Sequence, residues 1–219
     1  MRTRLLILLA PIVLALLVPL EAQRPTHGRL FPPEDLGILE SPDRDKWQEP
    51  ERIMDALLIA DGSRVADLGA GGGWFTIRLA KRVGPNGRVY AEDVQPEMIV
   101  SIRQRVANQQ LTNVETILGE TRNPRLPANL NAVLIVDTYT QFAQDVRVPV
   151  LRYVAQALAP DGRLGIVDFK RDGVGGPGPP LEDRLDPNVI RADAEQAGLR
   201  LISEETLLRY QYLLIFGRR

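Results

Sequence analysis

Short apolar runs alternate with amphipathic segments along most of the chain. The apolar runs predict strands at 65–68, 88–91, 113–118, 132–136, 163–167, 199–205 and 208–216. Between them, apolar positions recur at three- and four-residue steps, which predicts helices at 50–61, 75–83, 96–109, 145–158 and 187–197. This alternation predicts an α/β fold, namely a doubly wound, mostly parallel seven-stranded sheet with helices on both faces and an antiparallel C-terminal strand pair.

The first 22 residues follow a different pattern. Leu5 to Leu20 contain no polar residue, Arg2 and Arg4 precede them, and the small residue Ala22 follows. A basic start, an apolar stretch and a small residue predict a secretory signal peptide. Sixteen helical residues span only about 24 Å, less than the roughly 30 Å hydrocarbon core of a membrane, yet an uncleaved anchor stays open. We therefore expect an exported protein, periplasmic or extracellular, or one anchored through residues 5–20.

The rest of the chain divides into a tail and one domain. Residues 23–47 are rich in proline and predict an irregular tail and connecting segment, and residues 48–219 predict a single domain. Seven of the eight residues from Gly173 to Pro180 are Gly or Pro, so this stretch is a loop. Its composition suits a lid over a site, or a plain solvated loop. Trp47 is a second candidate for a lid or a helix-packing contact.

The first strand runs directly into a glycine-rich turn. The segment from Asp67 to Phe75 has glycines at 69, 71, 72 and 73 and then Trp74. Glycines let a ligand approach the backbone closely, and ligands of open α/β sheets bind at the carboxyl ends of the strands. The dinucleotide fingerprint needs a third glycine at the position of Trp74, so a nicotinamide-dependent oxidoreductase is a weaker alternative.

A second acidic position follows the next strand. Glu92 and Asp93 precede Pro96, where a helix begins. A carboxylate at this position can accept two hydrogen bonds from ribose hydroxyls. Asp93 is the first candidate and Glu92 the second, whereas a helix-capping role is the alternative.

These motifs together resemble class I S-adenosylmethionine-dependent methyltransferases, closest to the small quinone-biosynthesis type. The acidic-x-Gly-x-Gly-x-Gly pattern from Asp67, the acid at Asp93 and the Gly119-Glu120 step occur in the family's order. The resemblance implies S-adenosylmethionine as cofactor and a small-molecule acceptor, apolar or phenolic. It implies cofactor contacts from Asp67, Gly69, Ala70, Gly71, Gly73, Asp93, Val94, Glu120 and Asp137.

The composition restricts the chemistry. The chain has no Cys and one His, His27 in the tail, so thiolate, His-assisted and zinc-finger-type mechanisms lack their residues. A net charge of −1 gives no basic face for nucleic acid. Methyl transfer from an activated cofactor can rest on positioning, with no metal required.

The fourth strand ends at Asp137 and Tyr139, which are the candidate catalytic base or orienting groups. Capping for Asp137 and a pocket-wall role for Tyr139 are the alternatives. Asp168 ends the fifth strand on the same edge, but Asp137 and Asp168 alone do not complete a metal site. A catalytically silent cofactor-binding or scaffold protein of the same fold is the alternative function, since the methyl donor is made inside cells.

Overall fold

The computed structural model describes residues 30–33, 37, 41–172 and 176–219. Its helices are α1 (Arg44–Gln48), α2 (Pro50–Ala56), α3 (Trp74–Val83), α4 (Pro96–Asn108), α5 (Gln144–Ala157) and α6 (Pro187–Gln196). Its strands are β1 (Arg64–Leu68), β2 (Arg88–Asp93), β3 (Val114–Leu118), β4 (Leu130–Val136), β5 (Leu158–Phe169), β6 (Leu199–Glu205) and β7 (Gln211–Arg218). Single 3-10 turns lie at Tyr139–Gln141 and Leu181–Asp183.

The strands form one seven-stranded sheet in the order β3-β2-β1-β4-β5-β7-β6. The strands from β1 to β5 pair in parallel. In contrast, β7 runs antiparallel to both of its neighbours, β5 and β6. The predicted doubly wound α/β fold with an antiparallel C-terminal pair is therefore confirmed.

Two apolar layers cover the sheet. On one face, Met54 of α2 and Leu79 of α3 belong to a buried cluster with strand residues. On the other face, Leu151 of α5 and Ile190 of α6 belong to a second cluster. Burial on both faces explains why the central strand β4 is an apolar run rather than an alternating one.

The helix α6 shows how local sequence sets an element boundary. Asp186 is the N-cap, and its carboxylate accepts a hydrogen bond from the Asn188 N–H at 2.8 Å. Pro187 occupies the first helical turn, where its missing N–H is not needed. The predicted cap at Asp186 is therefore confirmed.

Three local predictions differ from the structure. The helix predicted to reach Gly62 ends at Ala56, because Leu58 has a left-handed backbone with φ +57°. The Leu58 side chain is also 66% exposed, so it does not continue the buried face of the helix. The turn predicted at 160–162 lies within β5, where the pairing with β4 shifts register. Finally, the tail predicted to be irregular contains α1.

The predicted leader, residues 1–22, lies outside the described residues, as do residues 173–175 of the proline- and glycine-rich loop. Within the described ranges, no helix has the length and apolar character needed to cross a membrane. The domain limits 23–47 and 48–219 stay predictions.

The sheet order fixes where a ligand site can form. The chain runs from β1 outwards through β2 to β3 and then crosses back to β4 on the other side of β1, so the strand order reverses between β1 and β4. A crevice opens at such a switch point, beyond the carboxyl ends of the strands. The glycine turn after β1, Asp93 at the end of β2 and Asp137 after β4 all lie at this edge.

Candidate cofactor and acceptor site

A cavity of about 660 Å³ opens at this edge of the sheet. Every residue predicted to bind the cofactor lines it, except Gly73. The lining predicted residues are Asp67, Gly69, Ala70, Gly71, Asp93, Val94, Glu120 and Asp137. Residues from four separate strand ends therefore meet at one cavity.

The glycine turn is held by the end of β2. The N–H groups of Gly69 and Ala70 both donate to the carbonyl oxygen of Glu92 at 2.9 Å. The N–H of Gly71 donates to the Asp93 carboxylate at 2.9 Å. These bonds fix the backbone of the turn against the end of β2.

Two glycines of this turn are needed for different reasons. Gly69 has φ +73°, and a Cβ there would clash with the side chain of Thr138. Gly71 has φ +54°, and a Cβ there would meet no heavy atom within 4 Å. The space beside Gly71 is therefore open for a ligand. Gly73 caps the start of α3 and packs against Ile102 instead of lining the cavity.

Asp67 lies beneath the turn. It is 2% exposed, and its carboxylate accepts a hydrogen bond from the Thr76 hydroxyl at 2.6 Å. Burial raises the pKa of Asp67 to about 6, while the Thr76 hydrogen bond and the Arg44 charge oppose that rise. The carboxylate is thus partly desolvated and suited to a cationic ligand group.

Glu92 and Asp93 are consecutive acidic residues at the end of β2, and both line the cavity. Asp93 accepts from the N–H groups of Gln95 at 3.0 Å and Gly71 at 2.9 Å, and burial raises its pKa against these bonds. Glu92 is 2% exposed, and its carboxyl group accepts from the Gly69 N–H at 3.3 Å. Burial, and then the charge of Asp93, raise the pKa of Glu92 to about 8.

Glu120 borders the cavity near its surface. Its carboxylate forms an ion pair with Arg125, and both side chains are more than half exposed. Exposed pairs contribute little stability, so this pair can open for a ligand at small cost.

Asp137 belongs to a closed ring of four polar side chains. Its two oxygens accept from Arg44 at 3.4 Å and from the amide of Gln211. Arg44 in turn donates to Gln48 at 3.0 Å, and Gln48 donates to Gln211 at 2.6 Å. Burial raises the pKa of Asp137 to about 6, whereas Arg44 and Gln211 act to lower it.

Trp74 contacts this hydrogen-bonded set of side chains through Arg44. The guanidinium of Arg44 lies 4.2 Å from the centroid of the Trp74 indole, and the guanidinium of Arg78 lies 3.5 Å from the same centroid. Aromatic faces attract such cations. Trp74, which replaces the third glycine of a dinucleotide motif, therefore helps to place Arg44 beside Asp137.

Asp168 lies behind the ring, fully buried at the end of β5. One oxygen accepts from the Phe169 N–H at 2.8 Å, and Oδ2 has no hydrogen-bond partner among the described residues. Burial, and then the charge of Asp137, raise the pKa of Asp168 to about 7. Asp168 does not line the cavity.

Tyr139 does not lie where its sequence position suggested. It is fully buried, does not line the cavity, and donates from its hydroxyl to Asp193 of α6 at 3.0 Å. Burial, and then the charge of Asp193, raise the pKa of the phenol. The structure thus gives Tyr139 a packing role, and of the two predicted catalytic residues only Asp137 faces the cavity.

Aromatic rings form the outer part of the cavity. Phe31, Trp47, Phe142 and Phe169 all line it, and the Trp47 and Phe169 centroids are 5.9 Å apart. The described part of the proline- and glycine-rich loop, at Pro177–Pro179, closes the same side. Arg184 holds this loop by donating to the carbonyls of Pro179 at 2.9 Å and Pro177 at 3.4 Å.

Sequence reasoning missed Arg44, Gln48 and Gln211. Arg44 and Gln48 are four residues apart, a spacing that indicates contact on one helix. Their link to Asp137 is not visible locally, because 93 residues separate Arg44 from Asp137 and 74 separate Gln211 from it.

Comparison with known proteins agrees with this geometry. Residues 65–162 match a protein family described as a methyltransferase domain. A crystal structure of a SAM-dependent methyltransferase from Aquifex aeolicus superposes with a TM-score of 0.79 at 27% identity, covering 85% of this chain and 98% of that one. The fold is therefore that of the class I S-adenosylmethionine-dependent methyltransferases. The cofactor of this class is S-adenosylmethionine.

Curated relatives are also methyltransferases. An arsenite methyltransferase of Halobacterium salinarum is 34% identical over 50% of this chain and 28% of its own length. A nocamycin O-methyltransferase of Saccharothrix syringae is 30% identical over 52% and 41%, respectively. A demethylmenaquinone methyltransferase of Geobacillus sp. WCH70 is 29% identical over 54% and 50%. The chain thus spans half or less of the length of these relatives.

Proposed function

We propose that this protein transfers the methyl group of S-adenosylmethionine to a small-molecule acceptor by in-line displacement. The observation that carries the proposal is the convergence of Gly71, Asp67, Asp93 and Asp137 on one cavity. Bound S-adenosylmethionine supplies an activated methyl group on a sulfonium centre, so the protein needs no side-chain nucleophile.

The residues present fit this cofactor. The open space at Gly71 would accept a ligand beside the backbone, because no protein atom lies within 4 Å of the absent Cβ. Asp93 would hold ribose hydroxyls, since two-oxygen acceptors suit a vicinal diol. Asp67 would balance the cationic amino group, and Glu120 would meet the adenine end.

Asp137 is the candidate proton acceptor. With a pKa raised to about 6, its carboxylate is mostly ionised at pH 7 and can take a proton from an acceptor hydroxyl. Arg44 and Gln211 orient both oxygens, so the carboxylate is fixed before the acceptor binds. The proton then stays on Asp137 until it is released to solvent.

The aromatic wall favours an apolar or phenolic acceptor. Rings of Phe31, Trp47, Phe142 and Phe169 offer flat apolar surface at the mouth of the cavity. Aromatic ligands pack well against such rings. The Arg44 guanidinium, which lines the cavity 6.0 Å from the Trp47 ring centroid, is a charged group that could face an acceptor oxygen.

The test has two steps. Isothermal titration calorimetry of the full chain with S-adenosylmethionine and S-adenosylhomocysteine measures cofactor binding directly. Formation of S-adenosylhomocysteine is then followed with a panel of phenols, hydroxyquinones and aliphatic alcohols. We expect binding of both cofactor forms and turnover on phenolic acceptors. Absence of binding to the folded chain would exclude the proposal, and binding without turnover on the panel would favour a silent cofactor-binding protein.

We also propose that residues 1–22 direct export. The support is the sequence pattern of basic, apolar and small residues alone. N-terminal sequencing of the native protein from separated cell fractions tests it, and a mature start at Gln23 in the exported fraction is the expected result. An intact chain in the cytoplasm would contradict it.

A further inference from the structure

The peptide groups of Phe31 are held from two sides by glutamine side chains. The Phe31 N–H donates to the Gln141 side-chain oxygen at 3.2 Å. The Phe31 carbonyl accepts from the Gln95 side-chain amide at 3.1 Å. More than sixty residues separate Phe31 from Gln95 and more than a hundred from Gln141, so this is a tertiary clamp on the two peptide groups that flank one residue.

The two glutamines come from opposite halves of the site. Gln95 follows Asp93 at the proposed ribose position and is the N-cap residue of α4. Gln141 follows β4, and its amide also donates to the backbone carbonyl of Asp137 at 3.0 Å. The clamp therefore spans from the cofactor half of the cavity to the proton acceptor.

The sequence around Phe31 stiffens this arrangement. Pro32 and Pro33 follow it, and a residue before proline is restricted to extended conformations. Leu30, Phe31 and Pro32 all line the cavity, and Phe31 is only half-buried there. A large apolar ring that is presented to a cavity in a fixed backbone conformation offers a contact surface for a bound molecule.

We propose that Phe31 is a ligand-binding residue of this site, supplied by the segment that precedes the matched methyltransferase domain. Gln95 and Gln141 are its positioning residues. The inference rests on the proposed function and adds to it a wall shared by cofactor and acceptor. Because both clamping groups are neutral amides, the hold on Phe31 does not depend on salt or on pH near neutrality.

Two consequences separate this role from simple packing. Loss of the Gln95 hydrogen bond leaves the Phe31 backbone less firmly fixed. Bound S-adenosylhomocysteine should therefore dissociate about three- to tenfold faster, which is the range expected for one net hydrogen bond. Since Gln95 acts through the Phe31 ring, its removal has little further effect once that ring is absent. If Gln95 had only a structural role, the effects of the Gln95 and Phe31 substitutions on the dissociation rate would instead be additive.

The experiment measures binding of S-adenosylhomocysteine to the full-length chain by stopped-flow tryptophan fluorescence. Both tryptophans of the chain, Trp47 and Trp74, line the cavity and report its occupancy. The variants are Gln95→Met, Phe31→Ala and their combination. Gln104→Met is the matched control, because Gln104 is an exposed glutamine of the same helix, α4. Gln141→Met tests the second clamp independently should Gln95→Met fold poorly.

We expect faster dissociation for Gln95→Met and Phe31→Ala, a double variant no faster than Phe31→Ala, and wild-type rates for Gln104→Met. The increase in dissociation rate should be the same in about 50 mM and about 500 mM salt, because salt screens charges and the two clamping amides carry none. Wild-type rates in both single variants, or fully additive effects, would overturn the inference while the proposed function stands. A wild-type chain that binds neither cofactor form overturns the proposed function, and this inference with it.

Discussion

Arg44 and Asp137 form a buried ion pair with 3.4 Å between Nη2 and Oδ2. Their side chains are only 9% and 18% exposed, so water screens the pair weakly. The contact joins α1, which precedes the matched domain, to the end of β4. Removing either partner therefore changes both the charge at the site and the position of α1.

Asp137→Asn tests the proposed proton acceptor. The amide oxygen can still accept from Gln211, but the side chain can no longer take a proton. We expect turnover of a phenolic acceptor to fall about 100-fold or more, the usual contribution of a general base, with S-adenosylhomocysteine affinity within a fewfold of wild type. Asp145→Asn, which changes a surface partner of Arg122, is the control. Turnover unchanged in Asp137→Asn would remove Asp137 from the proton path.

Arg44→Gln tests the effect of the buried cation on Asp137. The Arg44 charge lowers the pKa of Asp137, so its removal should raise that pKa above about 6. Since only the carboxylate accepts a proton, the acidic limb of the activity profile should move to higher pH. Carbon-13 NMR titration of the Asp137 carboxyl group measures the same shift directly.

Arg78→Gln is the matched control for this change. Arg78 stacks on the same Trp74 ring but pairs with Asp45 at the surface instead of Asp137. Its removal should leave the titration of Asp137 in place. Equal shifts in both variants would indicate that loss of the Trp74 stacking, rather than the ion pair, controls Asp137.

The two glycines at 69 and 71 separate folding from binding. Gly69→Ala should destabilise the fold, because the new Cβ clashes with Thr138 and φ is +73°. Gly71→Ala should cost only about 1–2 kcal/mol for its left-handed backbone, while its methyl group occupies the proposed cofactor space. Urea unfolding and calorimetric titration with S-adenosylhomocysteine measure the two effects. Full affinity in a folded Gly71→Ala chain would show that the ligand does not lie beside Gly71.

The raised pKa of Glu92 predicts that the free energy of unfolding falls as the pH rises. Its pKa is raised from 4.5 to about 8 in the folded chain, so between these values the unfolded chain ionises this group while the folded chain retains its proton. The free energy of unfolding should therefore fall with pH in that window, by at most about 1.4 kcal/mol per pH unit. The raised pKa values of Asp67, Asp137 and Asp168 act with the same sign.

Glu92→Gln should flatten this dependence, because the amide does not titrate. Urea midpoints from pH 5 to pH 9 measure it, and the exposed Glu115→Gln serves as control. A wild-type slope retained in Glu92→Gln would mean that Glu92 is ionised in the folded chain.

The parts of the site that follow local rules were predictable. A strand that runs into glycines and then a helix gives a short-range pattern, so Asp67, Gly69 and Gly71 could be placed from the sequence. Asp93 could be placed for the same reason, since Pro96 fixes the helix start that follows it. Both strand ends lie on one edge because parallel strands share a direction.

The failures occur where the backbone leaves a regular element. Asp137 has φ +55°, and the 3-10 turn at Tyr139–Gln141 follows it. This turn directs Tyr139 into the core against α6 and Gln141 towards Phe31, an outcome that strand alternation does not predict. Gln211 was missed because β7 inserts between β5 and β6, a pairing that the order of the chain does not show.

The position of β7 has a consequence for synthesis of the protein. Gln211 begins β7, which lies inside the sheet, and it closes the polar ring around Asp137. Because the chain is made from its N-terminus, β1, β2 and β4 are complete before Gln211 is added. The residues that hold the glycine turn, Glu92 and Asp93, are therefore present early in synthesis, whereas Asp137 can acquire its full set of partners only once Gln211 has been made.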